Sequence, residues 1–171
     1  MSIRISVSGA TARAVERTMP ALLADLVASR ITSQDNTLWG PDAEAESVIR
    51  LGWTEAVAVS RPLLPEIAAL RDEFAAAGLD RVVLCGMGGS SLAPEVITRT
   101  ARVDLVVLDS TDPGQVRATL TDLDRTVVVV SSKSGSTVET DSQKRLFEEA
   151  FTNAGVNKSE RIVIVTDPGS P

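Results

Sequence analysis

The chain has 171 residues, 43% hydrophobic and 23% charged, with 17 Lys and Arg against 23 Asp and Glu for a net charge of -6. A surface this acidic repels nucleic acid and anionic membranes, so neither is expected as a partner, and an anionic ligand needs a local trap. The composition excludes disordered, collagen-like and disulfide-rich classes, and a chain of this length hides roughly 70% of its unfolded surface, enough for one aliphatic core.

From Ala10 to about Arg30, the apolar positions Ala14, Met19, Leu22, Leu23, Leu26 and Val27 recur at helical spacing. Pro20 either interrupts this helix or begins a second one. Gln34 to Asp42, with Asn36, Gly40 and Pro41, reads as a loop, and helical segments follow through Trp53 and from Pro62 to Ala77. Gly78 is placed to end the last of them. Residues 1–80 are therefore expected as a mostly helical N-terminal region.

Beyond Gly78 the texture changes to short, nearly unbroken apolar runs: Arg81 to Cys85, Asp104 to Leu108, Thr126 to Val130 and Arg161 to Val165. Such runs suit strands covered on both faces. The intervening segments Leu92 to Thr100, Gly114 to Leu120 and Thr137 to Ala154 supply crossover helices. Four β-α repeats predict an α/β fold over residues 81–171, an open parallel sheet with helices on both faces. The helical region packs on that sheet to make one domain in all. The single cysteine, Cys85, forms no internal disulfide, and no long apolar run or secretory leader opens the chain, so the cytoplasm is the expected compartment.

In an open α/β sheet, ligands bind at the carboxyl ends of the strands, where helix N-termini present free N-H groups. Two loops stand out there. The first, Gly86-Met87-Gly88-Gly89-Ser90-Ser91-Leu92-Ala93-Pro94-Glu95, has three glycines for close backbone approach, with Pro94 in the first turn of the helix. It lacks both the GxGxxG spacing of dinucleotide folds and the GK[ST] ending of a Walker loop. The second, Ser131 to Thr137, holds five hydroxyls, one ammonium and one glycine ahead of a helix. That combination suits a phosphate monoester, which takes many neutral donors and modest countercharge. Ser136-Thr137-Val138-Glu139 also matches a capping box, but a cap needs one hydroxyl and this loop carries several.

Other residues read as structural. Cys85 ends an apolar strand, with no histidine in the chain to activate it, and is expected as a small core side chain. Trp39 and Trp53 are expected to pack the helical layer on the sheet. Asp109, Asp112 and Asp167 follow strand ends, and the Asp-Pro pairs read as turn initiators. No carboxylate grouping reads as a metal site, and no cofactor is implied.

Together the two loops resemble the sugar isomerase (SIS) domain, whose phosphate loop follows a Ser-x-Ser-Gly-x-Thr pattern matched by Ser132, Ser134, Gly135 and Thr137. Their pairing with Lys133 and with Val138-Glu139-Thr140 is similar to the glucose-6-phosphate isomerase family in its bacterial form. Thr166-Asp167-Pro168-Gly169-Ser170-Pro171 is similar to the strand end that follows in that family. The resemblance covers Val82 to Pro171, with Ser91 where many members have Asp and Ala93 where many have Gly. It implies a Rossmann-like three-layer fold of SIS type. It also implies that Ser132, Lys133, Ser134 and Thr137 hold the phosphate of glucose 6-phosphate or fructose 6-phosphate, that Gly89 and Ser90 line the sugar, and that Glu139 gives possible catalytic support.

The implied activity is aldose-ketose isomerisation in glycolysis and gluconeogenesis, by a parent enzyme expected to be a homodimer. An enediol route needs a base and a ring-opening acid. The family supplies these as a Glu, a His and a Lys from later chain, beside an Arg. This sequence has no histidine, so it reads as an N-terminal phosphosugar-binding portion that is inactive alone. The alternatives are a non-catalytic phosphosugar-sensing module of a regulator, or a related isomerase acting on mannose 6-phosphate or fused to a transaldolase.

Overall fold

The computed structural model describes residues 4–170, and the chain divides into two units with the boundary between Glu66 and Ile67. Pro171, the last residue of the family-like terminal segment, lies outside the described residues.

The first unit is helical. It contains α1 (Gly9–Ala24), α2 (Val27–Thr32), α3 (Glu44–Arg50) and α4 (Ala56–Ser60). Pro20 neither interrupts nor starts a helix: α1 runs through it to Ala24, and the break comes at Leu26, which takes a left-handed φ of 51°. The expected loop from Gln34 to Asp42 is partly ordered into 3-10 turns at Asn36–Trp39 and Pro41–Ala43. Asp35 caps the first of these by accepting from the Thr37 N-H at 2.9 Å, and it pairs with Arg30 at 2.6 Å. The Arg30 guanidinium, helped by Thr37, holds the Asp35 carboxyl down at about 2. Within this unit Trp39 and Trp53 flank a shallow depression with Ser47 and Leu51.

Helix α5 (Leu64–Ala76) continues across the boundary and stops where the sequence predicts. Gly78 takes a φ of 74°, and the Leu79 N-H donates back to the Phe74 carbonyl at 2.9 Å.

The second unit carries the four expected strands: β1 (Arg81–Gly86), β2 (Val106–Leu108), β3 (Thr126–Ser131) and β4 (Ile162–Val165). All are parallel, in the order β2-β1-β3-β4, with Val83 opposite both Val106 and Val128, and Val130 opposite Ile164. β2 is shorter than expected, starting at Val106 and not Asp104. The crossovers are α6 (Gly89–Ala101), α7 (Pro113–Thr119) and α8 (Val138–Asn153). Because parallel crossovers are right-handed, α6, leading outward from β1 to β2, lies on one face. α7 and α8, which step the other way, lie on the opposite face.

Side-chain alternation agrees with this. Val83, Cys85, Val128 and Val130 point to one side and are buried with Val116 of α7 and with Phe147 and Phe151 of α8. The alternate positions Leu84 and Val127 are also buried, so the inner strands β1 and β3 are covered on both faces. This is the α/β architecture expected from the strand runs.

Cys85 lies in the core cluster, as its place in an apolar run suggests. Burial pushes its thiol up to about 12. An unfolded thiol ionises near about 8.5, so burial of the neutral thiol leaves stability intact below that pH and erodes it as pH rises between the two values. A thiol reagent at pH 8 is expected to spare Cys85 in the native chain and to modify it in denaturant. Rapid labelling of native protein would contradict the placement.

Candidate functional site

The strand order reverses direction between β1 and β3, because β1 leads away to β2 on one side while β3 leads on to β4 on the other. Such a switch point leaves a crevice outside the carboxyl ends of the two strands, since the helices that follow depart to opposite faces. Both loops singled out in the sequence fall there. Gly86 ends β1, Ser131 ends β3, and the two are paired in register.

Position 86 is tight: a Cβ there would stand 3.1 Å from the Ser131 carbonyl oxygen and 3.2 Å from the Ser90 Cβ, so any larger residue requires its neighbours to give by a few tenths of an ångström. This close approach brings the glycine loop against the hydroxyl loop. Gly88 then takes φ 59° and ψ -122° as the N-cap of α6, a conformation that a side chain strongly disfavours. The helix therefore starts three residues earlier than the expected Leu92, and Gly89, Ser90 and Ser91 form its first turn. Pro94 consequently sits in the helix interior and not in its first turn. Gly89 is exposed, Ser90 half-buried, and Ser91 fully buried with its Oγ donating to the Gly88 carbonyl at 3.1 Å.

In the second loop, Ser132 is buried and its Oγ donates to Thr137 Oγ1 at 3.1 Å, closing the neck of the turn. Ser136 donates from its Oγ at 3.0 Å and from its N-H at 3.3 Å, both to Ser134 Oγ. Four of the five hydroxyls therefore bond to one another, Ser132 with Thr137 and Ser136 with Ser134, while Ser131 takes no part in either pair. The Lys133 carbonyl accepts from the Asp167 N-H at 3.2 Å, which ties the loop to the segment after β4. The Lys133 side chain is exposed and makes no ion pair among the described residues.

The capping box does not form. The N-cap of α8 is Thr137, not Ser136, and its side chain makes no capping hydrogen bond. Ser136 is spent on Ser134, so the box pattern is present in sequence but one residue out of phase with the helix. The result is a 16-residue helix whose N-terminus has no side-chain cap and carries the partial positive charge of its unpaired N-H groups. Two acidic residues, Glu139 and Asp141, lie in the same first turn. Asp141 is neutralised by Arg145 at 2.7 Å, and Glu139 is half-buried.

A cavity of about 420 Å³ adjoins this loop, lined by its Ser132, Gly135 and Ser136. Of the predicted site residues only Ser132 lines it, and Val130, Val138 and Ile164 give it an apolar wall. The sequence reading missed two residues nearby. Thr140 and Gln143 are fully buried on α8, and both carry an atom with no hydrogen-bond partner, Thr140 Oγ1 and Gln143 Oε1. Their spacing from Phe147 and Phe151, which places all four on one helix face, was the available signal. At Asp112 the turn-initiator reading holds: its side chain accepts from the N-H groups of Gly114 and Gln115, both at 2.9 Å.

No protein-family model matches the chain. Among curated proteins it is 33% identical over 127 residues to a glucose-6-phosphate isomerase of Chlamydia trachomatis, covering 68% of this chain and 24% of that protein. It is 39% identical over 100 residues to a probable glucose-6-phosphate isomerase of Haloarcula marismortui, covering 56% of this chain and 23% of the relative. The chain is homologous to part of the glucose-6-phosphate isomerases.

It spans about a quarter of the length of the relatives it matches. In three dimensions it superimposes on the crystal structure of a Chlamydia trachomatis glucose-6-phosphate isomerase with a TM-score of 0.59 and 32% identity, over 68% of this chain and 25% of that one. A hypothetical protein from Thermus thermophilus matches more of the chain, 92%, with a TM-score of 0.67 and 25% identity over 36% of its own length. The glucose-6-phosphate isomerases are enzymes, and the α/β fold expected from the strand runs agrees with these neighbours.

Proposed function

We propose that the chain is the phosphosugar-binding part of a glucose-6-phosphate isomerase, gripping the phosphate of glucose 6-phosphate or fructose 6-phosphate with the Ser131 to Thr137 loop. The observation that supports this most is the uncapped N-terminus of α8, directly after a loop of five hydroxyls. A phosphate dianion there receives helix N-H groups, loop hydroxyl donors and the Lys133 ammonium. Gly89 and Ser90, at the adjoining strand end, then face the sugar. Glu139 fits a supporting role beside the phosphate and not that of the proton-transfer base, since it belongs to the anion-binding turn itself.

Moving a proton between C1 and C2 requires a base and a ring-opening acid. The chain has no histidine, and its candidate site offers no pair of groups suited to both steps. By itself it binds without turning over, and the SIS-type assignment, the homodimeric parent and the cytoplasmic setting belong to the same reading. The names of the relatives favour an isomerase parent over a sensing module.

Calorimetric titration of the chain with 6-phosphogluconate tests the proposal. Lys133→Ala is expected to weaken binding roughly 5- to 10-fold, and less so at high salt, because an exposed ammonium contributes a modest, screened attraction. Absence of binding by the folded wild-type chain to any phosphosugar would defeat the reading.

A further inference from the structure

Helix α8 turns one stripe inward: Thr140, Gln143, Phe147 and Phe151. The last two do the ordinary work of a core. Gln143 does not, because it is 1% exposed where leucine or methionine would fill similar space without burying an amide. Its Nε2 donates to the Ser110 carbonyl at 3.1 Å and lies 4.0 Å from Met87 Sδ. The orientation of the amide is fixed, since a carbonyl can only accept. From α8, the helix that follows the hydroxyl loop, this one side chain therefore reaches the segment after β2 and the glycine loop after β1. Its Oε1 has no protein partner among the described residues.

We infer that Gln143 is a positioning residue: it sets the spacing between the glycine loop and the hydroxyl loop, so that a ligand held by its phosphate meets Gly89 and Ser90 at the correct distance for its sugar. The inference rests on the phosphosugar reading of the site and deepens it. The hydrogen-bond partners of Gln143 are the Ser110 carbonyl and, at the limit of 4.0 Å, Met87 Sδ, both on the side of the glycine loop, so its expected influence falls on the sugar end.

The test compares two ligands on the same chain. Gln143→Met keeps the volume and removes the hydrogen bond. It is expected to weaken fructose 6-phosphate binding by about tenfold while leaving inorganic phosphate within about twofold of wild type. Equal loss for both ligands, or loss for neither, overturns the inference while the phosphosugar reading stands. Failure of the wild-type chain to bind either ligand overturns both.

A measurement on the unaltered chain covers the case in which the variant does not fold. The assigned side-chain amide resonances of Gln143 are expected to shift when fructose 6-phosphate is added and to stay in place with inorganic phosphate. Identical responses to the two ligands overturn the inference.

Discussion

Ser134→Asp is expected to abolish measurable binding of 6-phosphogluconate. The substitution removes a hydroxyl donor of the loop and puts a carboxylate where, on the proposed reading, the phosphate oxygens would sit. Like charges brought together at a partly buried contact cost several kcal/mol, so a loss of about 100-fold or more is the expected scale. Ser134→Ala, which removes only the neutral donor, should cost several-fold. Both variants should melt close to wild type, because Ser134 is only half-buried in the turn. Retention of near wild-type affinity by Ser134→Asp would place the phosphate elsewhere.

Phe147→Ala is expected to be the most damaging single truncation in the sheet unit. Its ring is 0% exposed, with a centroid 6.1 Å from that of Phe151, and it packs with Val83, Cys85, Leu108 and Val128. Truncating a fully buried phenylalanine costs about 3–5 kcal/mol, transfer and cavity together. At this chain length that lowers the melting temperature by roughly 10 °C or more. The helix it anchors also carries the hydroxyl loop at its other end, so binding should fall in step with the folded fraction. A melting temperature unchanged by this substitution would contradict the placement of α8 on the sheet.

Much of the fold was legible because its causes are local. Val82 to Leu84 and Val127 to Val130 are uninterrupted apolar runs, which only a doubly covered strand tolerates, and both proved to be inner strands. The hydroxyl loop was legible for the same reason: five hydroxyls within Ser131 to Thr137 exceed what a turn or cap consumes.

What the sequence concealed depends on groups distant in the chain or on unusual backbone. Glycine and serine are weak helix formers, so Gly89 to Ser91 read as loop. It is the conformation of Gly88 that lets α6 start there. The capping pattern at Ser136 and Glu139 was real but out of phase by one residue, a shift that no local rule reveals. Thr140 and Gln143 were not singled out, because polar helix residues are usually exposed. Only packing against β1 and the Ser110 turn shows otherwise.

The reversal of strand order between β1 and β3 has a further outcome. The opening above those two strands is a product of chain topology and survives whichever side chains border it. Hydroxyls and charges around its mouth can therefore be exchanged with little injury to the scaffold, while the aromatic pair beneath cannot. A scaffold of this kind can change the esters it prefers through a few point substitutions and still fold as before.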